Sequence, residues 1–192
     1  MDRQPELQTQ RLLMRHWLET DRDPFAQLNA DPAVMEHFPS MLSREESNAF
    51  VDRVEEAFDT NGFGLWAIEL LGEAQFIGYV GLANATFDDP FTPAVEVGWR
   101  LAHAFWGRGF AIEAARAAVR FAFEVADLHE VVSFTVPANL RSVRVMDRLG
   151  MRRDPADDFD HPRLPEGHRL RRHVLCKLPI ATWQTTRLGP PG

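Results

Sequence analysis

The sequence predicts an α/β (α+β) domain, and three observations carry that reading. Three strand-like segments, GLWAIEL, QFIGYVGL and AVEVGWRL, follow one another across turn signals, the pattern of an antiparallel meander. Helical periodicity precedes them near residues 44–59 and follows them after the glycines of FWGRGFAIEAARAAVRFAFE. With 192 residues, 45% of them hydrophobic and 26% charged, the chain has apolar material for one full core and no composition break to divide it. One domain over 1–187 is expected, with 188–192, inside the ending RLGPPG, as a disordered tail.

Taken in order, TQRLLMRHWL opens the chain as a strand, and ETDRDPFAQLNADP reads as a short helix capped at Thr20 and closed by Asp31-Pro32. Ser43 and Glu46 have capping-box spacing, and Phe50, Val51, Val54 and Phe58 recur with helical period up to the Asn61-Gly62 turn. Within AVEVGWRL, strand alternation places Val95, Val97, Trp99 and Leu101 on one face, and Glu96, Gly98 and Arg100 on the other. The next helix carries an apolar stripe of Ile112, Ala115, Val119 and Phe123, with Glu113, Arg116, Arg120 and Glu124 at ion-pair spacing on its polar side. EVVSFTV is a further strand, PANLRSVRVMDRLGM a short helix ending at Gly150, and RRHVLCKL a late strand.

The totals exclude some classes of function. A formal charge of −7 argues against a nucleic-acid binder, and the basic run GHRLRRH abuts a strand and lacks interleaved aromatics. Mildly acidic composition is ordinary for a soluble protein, although it also suits a cationic substrate. There is no apolar run of membrane length, and MDRQPELQTQ lacks the layout of a signal peptide, so a cytoplasmic location without membrane partners is expected. The single cysteine, Cys176, allows no internal disulfide or four-cysteine zinc site, and its place within a strand makes it a poor nucleophile. Asp157, Asp158, Asp160 and His161 crowd a polar loop but match no metal-ligand spacing; no metal is expected.

The glycines beside Arg108 have two readings: a bare turn, or a loop whose N–H groups face an anion at the start of a helix. The dinucleotide fingerprint fails because Ile112 stands at its third glycine, and no Gly-Lys-Ser/Thr is present for a P-loop. Trp106-Gly107-Arg108-Gly109-Phe110-Ala111, however, resembles the Q/R-x-x-G-x-G/A acyl-CoA loop of the GCN5-related N-acetyltransferases (GNAT), with Trp106 in place of the usual Gln or Arg. QRLLMRHWLETD, NADPAVMEHFP, FIGYVGL, EVGWRLAHAFWGRGFAIEAARAAVRFAFE, VPANLRSVRVMDRLGMRRD and HVLCKLPIATW are similar to the branch that includes the ribosomal-protein acetyltransferases, in the same order. The resemblance spans nearly the whole chain.

It implies a mixed, mostly antiparallel sheet flanked by helices and splayed at the acyl-CoA site, and acetyl transfer from acetyl-CoA to a primary amine by direct attack in a ternary complex. On it, the CoA contacts fall to Trp99, Leu101, Trp106, Gly107, Arg108, Gly109, Phe110, Ala111, Asn139, Ser142 and Arg148. Phe38, Glu96, Asp160 and His161 fall on the substrate side. Glu96 is the candidate base, acting through water, and equally reads as a solvated or ion-paired strand glutamate. His103 and His173 are further candidates because imidazole titrates near neutral pH, although a lone histidine is more often structural. Many relatives carry a tyrosine acid where Met146 stands; Ser142 is the replacement candidate, its other reading being a plain first-turn residue. Asn139 is a CoA contact or an ordinary helix cap. Trp66, Trp99 and Trp106 read mostly as core, with room for one or two to wall an acceptor cleft. The expected partner is an amine: a protein N-terminus, or a small molecule such as an aminoglycoside-like compound or a polyamine. A CoA-binding regulatory or scaffold protein without turnover is the competing class, motivated by Met146. Relatives imply a monomer or homodimer.

Overall fold

The computed structural model describes residues 6–188, with side chains through 185. The expected tail, apart from Leu188, lies outside the described residues. The strands are β1 (Leu7–Gln8), β2 (Leu12–Arg15), β3 (Leu65–Leu70), β4 (Ala74–Asn84), β5 (Val95–Leu101), β6 (Glu130–Thr135), β7 (Arg152–Arg153), β8 (Phe159–Asp160) and β9 (Arg172–Pro179). The helices are α1 (Arg22–Asn29), α2 (Pro32–Met35), α3 (Arg44–Asn61), α4 (Phe110–Glu124), α5 (Leu140–Leu149) and α6 (Ile180–Leu188). Pairs β1–β2, β2–β3, β3–β4, β6–β9, β7–β9 and β8–β9 are antiparallel, while β5–β6 is parallel. The fold is therefore a mixed, mostly antiparallel sheet with flanking helices. Two compact units divide it: the chain up to Ala83 with Gly98–Ala118, and Asn84–Val97 with the chain from Val119 onward.

In the first unit the sheet runs in order β1-β2-β3-β4, with Leu12 opposite Leu70 and Leu65 opposite Gly81. The Ala102 N–H donates to Ile77 O at 2.9 Å, which holds the end of β5 beside β4. Alternation along these strands turns Leu12, Met14, Trp66, Ile68 and Ile77 inward, all of them fully buried. Each such side chain contributes about 1.5–3 kcal/mol. Ser43 Oγ accepts from the Glu46 N–H at the start of α3 while the Glu46 carboxylate accepts from the Ser43 N–H, the reciprocal pair that the sequence spacing predicts. The helix then buries Ser47, Val51, Val54 and Phe58.

Two expectations at the first helices need correction. Thr20 does not cap; it lies inside a 3₁₀ turn, Glu19–Asp21, and Asp21 accepts the Leu18 N–H at 2.8 Å. The Asp21 carboxylate is itself buried and pairs with Arg15 Nη1 at 2.7 Å, so it ties β2 to the entry of α1. Asp31-Pro32 opens a helix rather than closing one: Asp31 Oδ1 accepts from the Ala33 N–H at 2.8 Å, and Pro32 takes the first position of α2, where its missing N–H costs nothing.

In the second unit β5 meets β6 at the register position Glu96↔Val132, and β6 pairs along its length with β9, from Glu130↔Pro179 to Thr135↔Val174. Asn139 caps α5, and Gly150, at φ 79°, ends it. Val132, Leu175 and Phe159 form a core cluster with Phe87, Phe91, Ala94 and Phe134 packed on it. The acidic loop is spent on local ion pairs: Asp157 with Lys177 at 2.8 Å, Asp158 with Arg153, and Asp160 with Arg171 and Arg172.

Candidate active site

The chain leaves β5 through a 3₁₀ turn, His103–Phe105, and enters α4 by way of Trp106, Gly107, Arg108 and Gly109. Gly107 and Gly109 have φ of +74° and +84°, a left-handed backbone that side-chain-bearing residues adopt at a cost. A Cβ on Gly107 meets no neighbour within 4 Å among the described residues, so the backbone conformation, not crowding, requires glycine there. The N–H groups of Gly107, Arg108, Gly109, Phe110 and Ala111 have no acceptor among the described residues. Five donors from the turn into the first residues of a helix fit a pyrophosphate, because the helix dipole adds to their pull on negative charge.

The loop is held from behind by residues that sequence reasoning did not single out. Arg11 Nη1 donates to Arg108 O at 3.0 Å and Arg11 Nε to Glu113 Oε2 at 2.7 Å, while the Arg11 guanidinium stacks 4.6 Å from the Phe110 ring centroid. The Thr9 hydroxyl also donates to Glu113, at 2.7 Å. Burial would raise the Glu113 carboxyl, but the hydrogen bonds from Thr9 and Arg11 outweigh it and hold it below its ordinary range. Arg108 reaches Glu73 through a bidentate pair at 2.7 and 2.9 Å, so its side chain is turned to the carboxylate and its amide is what it offers an anion. Trp106 Nε1 donates to Leu101 O at 2.8 Å, and its ring lies 4.6 Å from that of His103. The sequence placed Glu113 in a helical ion-pair stripe; its partner is instead 102 residues away, a pairing with no local signal. Replacing Arg11 with Ala is expected to weaken acetyl-CoA binding about tenfold, equivalent to about 1.4 kcal/mol, in a calorimetric titration. A variant that binds as tightly as the parent would show that the loop holds its shape without this brace.

Along β5, Val97 and Leu101 are buried and Trp99 is half-buried, as alternation predicts, but the opposite face is not left to solvent. Arg100 is 9% exposed. Glu96 shares its face with Ala94 two residues before it and lies in register with Val132, both members of the phenylalanine-lined cluster. Its carboxyl has no hydrogen-bond or ion-pair partner among the described residues, and burial pushes its pKa up to about 8. An ion-paired role for Glu96 is thereby excluded among the described residues.

On α5 the Asn139 side chain is engaged at both ends: Oδ1 accepts from the Ser142 N–H at 3.2 Å and Nδ2 donates to Thr135 Oγ1 at 3.0 Å. Ser142 is half-buried in the first turn, Arg148 is exposed in the last, and Met146 is buried in the core. Asp160 is exposed and ion-paired. His161 stacks 4.7 Å from Phe87 and 5.2 Å from His173; burial lowers the pKa of both histidines and favours neutral imidazoles. Cys176 is buried, which pushes its thiol up to about 11, far from a reactive thiolate. Phe38, in the first unit, lies over Arg100 at 3.9 Å.

A family model described as an acetyltransferase (GNAT) domain matches residues 11–152. The chain is 34% identical over 155 residues to a protein of Aspergillus fumigatus named FsC-acetyl coenzyme A-N(2)-transacetylase, a match covering 77% of this chain and 65% of that protein. Among solved structures it is similar to a GNAT-family acetyltransferase from Bacillus anthracis, with a TM-score of 0.75 and 24% identity over 91% of this chain and 98% of that one. It is also similar to a ribosomal-protein-S5-alanine acetyltransferase from Vibrio fischeri, with a TM-score of 0.73 and 18% identity over 94% of this chain and all (100%) of that one. At these identities the two structures speak for the fold.

Proposed function

Because the chain belongs to the GNAT acetyltransferase family and is an acyl-CoA-dependent N-acetyltransferase, we propose that it is one domain over 1–187 that acetylates a primary amine by direct attack within a ternary complex. The observation that carries the reading is the run of five unengaged amides from Gly107 to Ala111 on a loop braced by Arg11 and Glu73. Acetyl-CoA supplies the thioester, whose C–S bond breaks as the amide C–N bond forms. Gly107, Arg108, Gly109, Phe110 and Ala111 hold its pyrophosphate, with Trp99, Leu101, Trp106, Asn139, Ser142 and Arg148 as further contacts. Glu96 accepts, through water, the proton that an ammonium must lose to become a nucleophile. A carboxyl with pKa about 8 is better matched to an amine than an ordinary one at about 4.3. The Ser142 hydroxyl delivers a proton to the departing sulfur. The geometry of Asn139 supports a positioning role, since its side chain is fully engaged in shaping the start of α5.

The acceptor is a protein N-terminus, as the name of the Vibrio fischeri neighbour suggests, or a small amine. A second reading, a CoA-binding protein without turnover, draws on Met146, which offers no hydroxyl and is buried. Release of free thiol from acetyl-CoA, followed across N-terminal peptides, amino acids, polyamines and aminoglycosides, separates the two. Acetyl-CoA binding with amine-dependent thiol release supports the enzyme; binding with no release by any amine favours the second reading; no binding overturns both.

A further inference from the structure

Arg100 is a buried cation that the mechanism leaves unused. It projects from β5 within the first unit, is 9% exposed, and has no carboxylate within ion-pair range among the described residues. Its Nη1 donates to Asn29 Oδ1 at 2.5 Å, and its buried Nε donates to nothing among the described residues. Asn29 is fully buried, and its Nδ2 donates to Ser47 Oγ at 3.0 Å, an assignment that turns the amide oxygen toward the guanidinium. Three rings surround the charge: Phe38 at 3.9 Å, Tyr79 at 5.5 Å and Phe50 at 5.9 Å from their centroids. Rings stabilise a guanidinium only in part, and a buried charge without a counter-charge is among the costliest features a fold can keep. A structure that fixes one nitrogen with a dedicated amide, leaves another unspent and supplies no anion from its described residues is arranged to receive one from outside. Tyr79 is buried while Phe38 and Phe50 are half-buried, so the way in is on the side of Phe38 and Phe50.

We propose that Arg100, framed by Phe38, Phe50 and Tyr79 and held by Asn29, binds the carboxylate of the acceptor, and that the acceptor is an amino-acid-like amine carrying a carboxylate rather than a polycation. This rests on the acetyltransferase reading and specifies its acceptor. The guanidinium supplies directional donors for a carboxylate oxygen, and the rings around it suit an apolar side chain. A polyamine or aminoglycoside brings only further positive charge to this cation and is disfavoured there.

The test is calorimetric binding of N-acetyl-L-amino acids, each beside its C-terminal amide, to the parent, to Arg100→Lys and to Arg100→Gln, with acetyl-CoA titrated separately into each. In the parent, the acids are expected to bind about tenfold or more tighter than the amides. Arg100→Gln should lose that difference and Arg100→Lys should keep part of it, while acetyl-CoA binding through the glycine loop is unchanged. Equal binding of acid and amide by the parent, no binding of either, or tighter binding of spermidine or kanamycin overturns the proposal, whatever the variants do. Failure of acetyl-CoA to bind is a separate result; it sinks the enzyme reading and leaves the acid–amide comparison to decide whether Arg100 is an anion site.

Discussion

Glu96→Gln is expected to lower kcat/KM for the best amine by about a hundred- to ten-thousandfold, the range that a positioned general base contributes, and to leave acetyl-CoA binding intact. The more telling result is the pH profile. With the acceptor's own ionisation divided out, parent kcat/KM should rise with pH through a limb near 8, because the carboxyl must be ionised to accept a proton and its pKa stands at about 8. The variant should lose that limb. Stability gives a second readout of opposite sense. The folded pKa is raised above the unfolded value of 4.5, so the native state holds more protons between pH 4.5 and about 8, and parent stability falls as pH rises through that window. Gln has no charge to bury, so Glu96→Gln is expected to gain about 2–4 kcal/mol on the parent between pH 5 and pH 9 in denaturant unfolding. A profile with no limb near 8 in the parent, or one that persists in the variant, assigns the proton to another group.

How much of this was legible beforehand depends on whether the signal was local. The Ser43–Glu46 box, the glycine loop and the alternation of β5 are short-range patterns whose physics is completed within a few residues, and each stands where the sequence puts it. The brace of the loop was not legible: Arg11, Glu73 and Glu113 meet through chain reversals that no spacing rule encodes, and Glu113 had a plausible local partner that the structure does not use. Arg100 shows the same limit from another side. Alternation gives its face correctly but not what covers it: Phe38, Phe50 and Asn29 close over it from segments far away in sequence. The ion pairs of the acidic loop were likewise not written in its spacing: Asp157 meets Lys177, Asp158 meets Arg153, and Asp160 meets Arg171 and Arg172.

The loop glycines carry the other large expected effect. Gly109→Trp should weaken acetyl-CoA binding about a hundredfold or more, equivalent to about 2.8 kcal/mol, measured by calorimetry. Two causes add. At φ +84° any side chain carries a left-handed penalty of about 1–2 kcal/mol, which moves the loop away from the shape its amides need. The Cβ also comes within 3.4 Å of Arg11 Nη2, so the indole either displaces the brace or turns outward across the unengaged N–H groups that a phosphate would occupy. Gly107→Ala separates these causes. It bears the same kind of backbone penalty at φ +74°, but its methyl points into open space and touches no brace. A few-fold loss for Gly107→Ala beside near-complete loss for Gly109→Trp means that occlusion of the amides dominates. Comparable losses would mean that loop conformation alone controls binding. Full binding by a folded Gly109→Trp protein would mean that the pyrophosphate is held elsewhere, and the five amides would be nothing more than a helix start open to water.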